Sequence, residues 1–132
     1  MDWLAYETDN ALPGNLIAGE ALTKGAAVAI KASDGKVYLA SASTGYDDTR
    51  RPCVGFNFDT AASGDAVSVI THGRLEGTSG LGVGDQVYLS DTAGEVTATA
   101  PSDVGDHVQV VGRAITATQF IIDIETYAEV SA

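Results

Sequence analysis

A single cysteine, Cys53, rules out an intrachain disulfide in this 132-residue chain. It sits in the apolar run Pro52-Cys53-Val54-Gly55-Phe56, where a small buried hydrophobe is expected rather than a nucleophile. The only histidines, His72 and His107, lack the short His–His or Cys–Cys spacing of a zinc site. Basic side chains are also scarce. Seven Lys and Arg face eighteen Asp and Glu, for a net charge of −11, which repels nucleic acid. The one basic doublet, Arg50-Arg51, lies beside Asp47-Asp48 and is too small for a nucleic-acid footprint. No apolar run approaches the roughly 20 residues of a membrane span. The first residues show no basic region followed by an apolar one, so synthesis in a cytosol is expected.

Catalytic signatures are missing too. Gly35-Lys36 is followed by Val37, and Ile30 stands where a phosphate loop needs its first glycine. Gly80, Gly82 and Gly84 lead into a strand pattern rather than a helix. There is no Gly-x-Ser-x-Gly. Asp34, Asp47, Asp48, Asp91, Asp103 and Asp106 all fall in expected loops, but none matches a calcium-loop pattern. The residues point to no enzyme, no cofactor and no metal.

What the chain has is alternation. Gln86 to Ser90 places Val87 and Leu89 on one side and Gln86, Tyr88 and Ser90 on the other, the period of a half-buried strand. Asp91 to Gly94 supplies turn residues, and Val96, Thr97 and Thr99 restart a strand. The same frame occurs earlier. Leu22, Gly25, Val28, Ile30, Gly35 and Val37 each stand 59 residues before Leu81, Gly84, Val87, Leu89, Gly94 and Val96, and five of the six pairs are identical. Val54-Gly55 and Val111-Gly112 extend the correspondence with a slip of two residues. Further strands are expected at 26–31, 36–41, 53–58, 65–71, 74–76, 107–114 and 119–125, with 65–71 central because both its faces are apolar. The segment 42–51 reads as an exposed polar loop. No stretch of ten residues carries a 3.6-residue apolar stripe. The expected fold is therefore all-β: a small β-barrel or sandwich built from two pseudo-equivalent hairpin units at 20–126, with an extended N-terminal arm at 1–19 and a short tail at 127–132. The arm holds the only tryptophan. Trp3, Leu4 and Tyr6 are the candidate partner-binding residues, with a fold-back into the chain's own core as the other option.

The run Val54-Gly55-Phe56-Asn57-Phe58 and Ala61-Ala62-Ser63-Gly64-Asp65, then Val67-Ser68-Val69, Gly73, Gly84-Asp85-Gln86-Val87-Tyr88 and Ala93-Gly94-Glu95-Val96, resembles a family of small structural proteins of tailed bacteriophages. These are the capsid cement or decoration proteins, and the likeness covers about residues 20–125. It implies a virion protein on the outer surface of an icosahedral capsid. Its partners would be the major capsid protein and neighbouring cement copies, as a homo-oligomer on the lattice, with neither nucleic acid nor membrane. Two other readings stand beside it. One is a head-fibre or tail-fibre module. The other is a small carbohydrate-binding domain, for which Tyr38 and Tyr88 would be the stacking residues.

Overall fold

The computed structural model describes residues 16–43, 50–125 and 127–129. Among these there is no α-helix, and the all-β expectation holds. The first four-stranded sheet contains β2 (Ala27–Ile30), β3 (Val37–Leu39), β4 (Gly55–Asn57) and β6 (Val69–Ile70), in the order β3-β2-β4-β6. A second sheet runs β7 (Arg74–Glu76), β11 (Gln119–Ile122), β10 (His107–Ala114), β8 (Gln86–Leu89) and β9 (Val96–Thr97), with β12 (Tyr127–Glu129) paired to the start of β10. A two-stranded flap, β1 (Leu16–Ile17) with β5 (Ala66–Val67), forms a third layer.

The duplication is visible in the register. Val28 pairs with Gly55 in the first sheet, and Val87 with Gly112 in the second. Phe56 pairs with Ile70, and Arg113 with Ile121. The turn bonds repeat as well. Gly25 N–H donates to the Asn57 carbonyl at 2.8 Å, and Gly84 N–H to that of Ala114 at 2.9 Å. Gly35 and Gly94 close the two hairpins with φ of 70° and 84°, a conformation costly for any residue with a Cβ. Gly55 and Gly112 serve a different need, because each lets a neighbouring strand approach closely. A Cβ on Gly55 would meet Val69 Cγ1 at 2.5 Å and the Ile70 carbonyl oxygen at 2.6 Å. One on Gly112 would run into the Ile121 carbonyl oxygen and meet Phe120 Cδ2 at 2.6 Å.

The two units stack in sequence rather than facing each other symmetrically. The first sheet is covered on both sides. Ala27, Ala29 and Phe56 face the second sheet, where they pack with Val87, Leu89 and Phe120. The Phe56 and Phe120 rings meet edge to face at 5.4 Å. Val28, Val37 and Val69 face the flap, with Leu22, Ala18 and Val67. This explains why β2 reads Ala-Val-Ala-Ile, apolar on both faces, while β8 at the equivalent positions reads Gln-Val-Tyr-Leu. Among the described residues, only one face of the second sheet is covered.

One seam between the sheets is closed by backbone. The Gly94 turn inserts between β2 and the end of β3: its N–H donates to the Ala40 carbonyl at 2.7 Å, and its carbonyl accepts from Ala27 N–H at 3.0 Å. Ala42 N–H donates to the Ser90 carbonyl at 2.9 Å. Buried Gln109 joins the sheets by imitating a strand. Its Oε1 accepts from Cys53 N–H at 2.8 Å, and its Nε2 donates to the carbonyls of Cys53 and Glu125, each at 2.9 Å.

Four local expectations change. Residues 65–71 are not one central strand. The chain bends at Ser68 into β5 and β6, and β6 lies at the margin of its sheet. It reads as apolar on both faces because it sits between the flap and the second sheet. The loop 42–51 is not simply exposed at its ends. Arg51 is buried and donates to the Ser43 carbonyl, and Arg50 forms an ion pair with Glu20 at 2.5 Å. Residues 127–129 pair with β10 instead of trailing away. Residues 16–19 also belong to the body: Ala18 is fully buried and bridges to Val37.

Candidate docking surface

Trp3, Leu4 and Tyr6 lie outside the described residues, so the geometry bears on the body that carries them. Cys53 is fully enclosed, and burial pushes its thiol pKa up to about 12, far from a reactive thiolate. His72 is exposed, with Nδ1 at 2.9 Å from its neighbour Thr71 Oγ1. His107 opens β10 and donates its backbone N–H to the Ala42 carbonyl at 2.9 Å. The tyrosines suggested as sugar platforms are engaged locally. Tyr38 donates its hydroxyl to Asp34 at 2.7 Å and carries the Lys31 ammonium 5.3 Å from its ring centre. Tyr88 donates to Gln86 at 2.9 Å.

One cluster emerges that sequence could not assemble. Asp91, from the turn after β8, meets Asp103 and Asp106, from the loop before β10, with carboxylate oxygens within 4.8 Å of one another. Asp106 is buried. Partial burial raises the Asp91 pKa, and the hydrogen bond and charge of Asp106 add to it, with Asp103 beyond. The Asp91 carboxyl therefore holds its proton more readily than a free carboxyl does.

The uncovered face of the second sheet has a different character. Cross-strand pairing sets Arg74, Ile121, Arg113 and Gln86 side by side across β7, β11, β10 and β8. All four are exposed, Ile121 at 52%. The Arg113 guanidinium is steadied by a 2.8 Å bond to the Gly84 carbonyl. In the first sheet the equivalent row is Ala27, Phe56 and Ile70, the face that the second sheet covers. The row therefore combines two cations and an isoleucine in a chain of net charge −11, at the position where the fold itself stacks another layer. Phe58, 52% exposed just beyond β4, adds an aromatic near one margin. The alternating pattern locates β8, β10 and β11 from sequence, but the row needs the register, which no local signal reveals.

Neither a family model nor a curated protein matches this chain. Among the described residues, no helix is long and apolar enough to cross a membrane.

Proposed function

We propose that the chain is a capsid cement protein of a tailed bacteriophage. It would bind the outer surface of the icosahedral shell, contacting the major capsid protein and neighbouring copies of itself, without enzymatic activity or cofactor. The observation that carries this reading is the exposed Arg74-Ile121-Arg113 row on an otherwise acidic body. Such a row suits a partner surface that offers carboxylates around an apolar patch. The sequence resemblance supports the same reading, as does a body whose potentially reactive thiol is sealed in its core. The arm would add Trp3, Leu4 and Tyr6 as anchors. Many copies on a lattice hold the shell through modest individual contacts, because each bound neighbour raises the effective concentration of the next.

The test is co-sedimentation with shells assembled from the major capsid protein of a tailed bacteriophage that carries this chain. The pair Arg113→Glu and Ile121→Asp should lower occupancy at least tenfold while leaving the melting temperature of the free protein within a few degrees. Trp3→Ala should cost about 2 kcal/mol of binding or more. Full occupancy with all three changes would overturn the reading.

A further inference from the structure

The second sheet has an open margin at β7. Ile122 N–H donates to the Gly73 carbonyl at 2.8 Å, and Gly77 N–H to that of Thr118 at 3.1 Å. The register between these bonds sets Leu75 opposite Phe120 and leaves Arg74 and Glu76 at the alternate, non-bonded positions. The N–H and C=O groups of Arg74 and Glu76 therefore point away from β11, off the edge of the sheet. No described residue bonds them. Space is open beside them, because a groove of about 520 Å³ lies between β7 and the margin of the first sheet at β6.

The edge is its own complement. Arg74 and Glu76 are exposed on the open face of the sheet, whereas half-buried Leu75 turns to the covered face and packs against the core. Laid antiparallel against a copy of itself about Leu75, the strand sets Arg74 opposite Glu76 and Glu76 opposite Arg74. Both are positions whose main-chain groups point outward, so each pair exchanges both of its N–H and C=O bonds. The same pairs bring guanidinium to carboxylate on one face, and Leu75 meets its own counterpart on the other. Among the described residues neither charge has an ion-pair partner of its own. Gln119 Nε2 donates to Glu76 Oε1 at 2.6 Å, which steadies that carboxylate and leaves its second oxygen for a guanidinium. A register one residue away fails, because it sets outward main-chain groups against inward ones and Leu75 opposite a charge.

We propose that β7 is a self-association edge: it pairs antiparallel with β7 of a second copy about a two-fold axis at Leu75, joining the two second sheets into one. The contact is isologous, so it closes at a dimer instead of growing into a filament. A three-residue edge is a small contact, so the dimer is a weak one that forms in concentrated protein. The capsid reading uses the open face of this sheet, whereas the dimer uses its edge.

The test is sedimentation of the full chain from micromolar to millimolar concentration, with no shells present. The mass should rise from one chain to two and stop there. Arg74→Glu sets carboxylate against carboxylate across the axis, and Glu76→Arg sets guanidinium against guanidinium, so each should weaken the dimer at least tenfold. Glu76→Arg does so while lowering the net negative charge, which separates strand pairing from general repulsion. Mixed in equal amounts, the two variants should bind each other at least tenfold more tightly than either binds itself, because every cross-strand pair is then oppositely charged. The exchanged chain Arg74→Glu/Glu76→Arg should dimerise like the parent. Amide hydrogen exchange reads the unaltered chain and serves if a variant melts early: the Arg74 and Glu76 N–H groups should slow as concentration rises, whereas Leu75 N–H, bonded to β11, should be slow throughout. A mass of one chain up to millimolar concentration would overturn the proposal. So would a dimer indifferent to both single variants, or a mixture that associates no better than its components. Edge amides protected at every concentration would overturn it too, since another segment of the same chain would then cover β7. Shell binding is measured separately, so neither result decides the other.

Discussion

Substituting alanine at four glycines separates two physical reasons for having glycine in this fold. At Gly112 the backbone conformation is ordinary for any residue, and the difficulty is space. The new Cβ would collide with the Ile121 carbonyl oxygen and with the Phe120 ring, and that carbonyl belongs to the strand paired alongside. It cannot withdraw without loosening β10 from β11, so the cost should reach about 3 kcal/mol or more. Gly55, its counterpart, meets a side-chain methyl of Val69 as well as the Ile70 carbonyl. Part of that overlap can relax, giving about 2–3 kcal/mol. Gly94 has φ of 84° and Leu39 Cδ2 at 3.0 Å from the position of a Cβ. Left-handed strain plus a movable methyl should cost about 2 kcal/mol. At Gly35 nothing lies within 4 Å, leaving the strain alone, about 1 kcal/mol. With about 4 °C lost per kcal/mol in a domain of this size, the melting temperature should fall by more than about 10 °C for Gly112→Ala and by about 4 °C for Gly35→Ala. Urea titrations should give the same ranking with an unchanged slope. If Gly112→Ala melts within about 2 °C of the parent, the close approach between β10 and β11 is wrong, and with it the register that aligns the two units. If Gly35→Ala costs as much as Gly94→Ala, the Gly94 turn is not seated on the first sheet.

Gln109→Ala should lose about 2–4 kcal/mol in chemical unfolding, because it leaves the Cys53 backbone groups buried without partners and opens a cavity; a loss below 1 kcal/mol would mean that Gln109 does not join the sheets. Cys53 should react with a thiol reagent only as fast as the protein unfolds, so rapid labelling under native conditions would contradict its burial. Asp91 has a folded pKa above its unfolded one, so its ionisation destabilises the fold above the folded pKa and this penalty disappears as pH falls through that value. Asp91→Asn should therefore melt higher than the parent at pH 7, with the gap closing in acid; a gap that widens in acid would refute the like-charge argument. Glu20 behaves oppositely: burial raises its pKa, but the Arg50 guanidinium and the Leu39 N–H outweigh burial and bring it below the ordinary value. The difference between the parent and Glu20→Gln should therefore be present at neutral pH and fade as pH falls through that lowered value, as thermal melts across the range would show.

Much of the architecture is legible in the residues because the β signals here are local. Arg74–Glu76 and His107–Ala114 have the predicted bounds, and the 59-residue frame maps β2 onto β8 residue for residue. Gly35 and Gly94 have the positive φ that their turns call for. The layer order is not legible in the same way. Whether Ala27 or Gln86 faces another sheet depends on which unit stacks on which, and the frame is common to both. The flap is hidden for a related reason. Ala66-Val67-Ser68-Val69-Ile70 alternates without interruption, and only tertiary contact bends it at Ser68. Among site residues, Asp91, Asp103 and Asp106 could each be named as loop carboxylates, but their meeting depends on two loops at one end of the sandwich. Phe58 reads as the next inward position after Phe56. It is exposed because β4 ends at Asn57 and the chain turns away.

The stacking order also relates the fold to the proposed function. A duplicated unit could have closed on itself, each sheet covering the apolar face of the other, which would leave two similar outer faces. Here the second sheet buries its Val87 and Phe120 face on the Ala27 and Phe56 face of the first, and the flap covers what remains of the first. The contact is head to tail, and such a contact leaves one unused surface of each kind. A Cβ on Gly35 would meet no described atom within 4 Å, although the counterpart turn at Gly94 is inserted in a seam. The row Gln86-Arg113-Ile121 lies open, although its counterpart Ala27-Phe56-Ile70 is covered. Had the open row stayed as apolar as its counterpart, sheets of different copies would stack without limit and the protein would aggregate. Arginine at 113 and glutamine at 86 interrupt that apolar surface, while Ile121 preserves an apolar contact. The substitutions that separate the second unit from the first thus give the open row a mixed character, two polar side chains around one apolar one, which is what the proposed docking calls for. Arg113→Phe, which restores the residue type of the first unit, should make the variant self-associate through this sheet more strongly than the parent. Light scattering across a dilution series measures it, and a variant that scatters no more than the parent would show that the open face is not the descendant of a stacking surface.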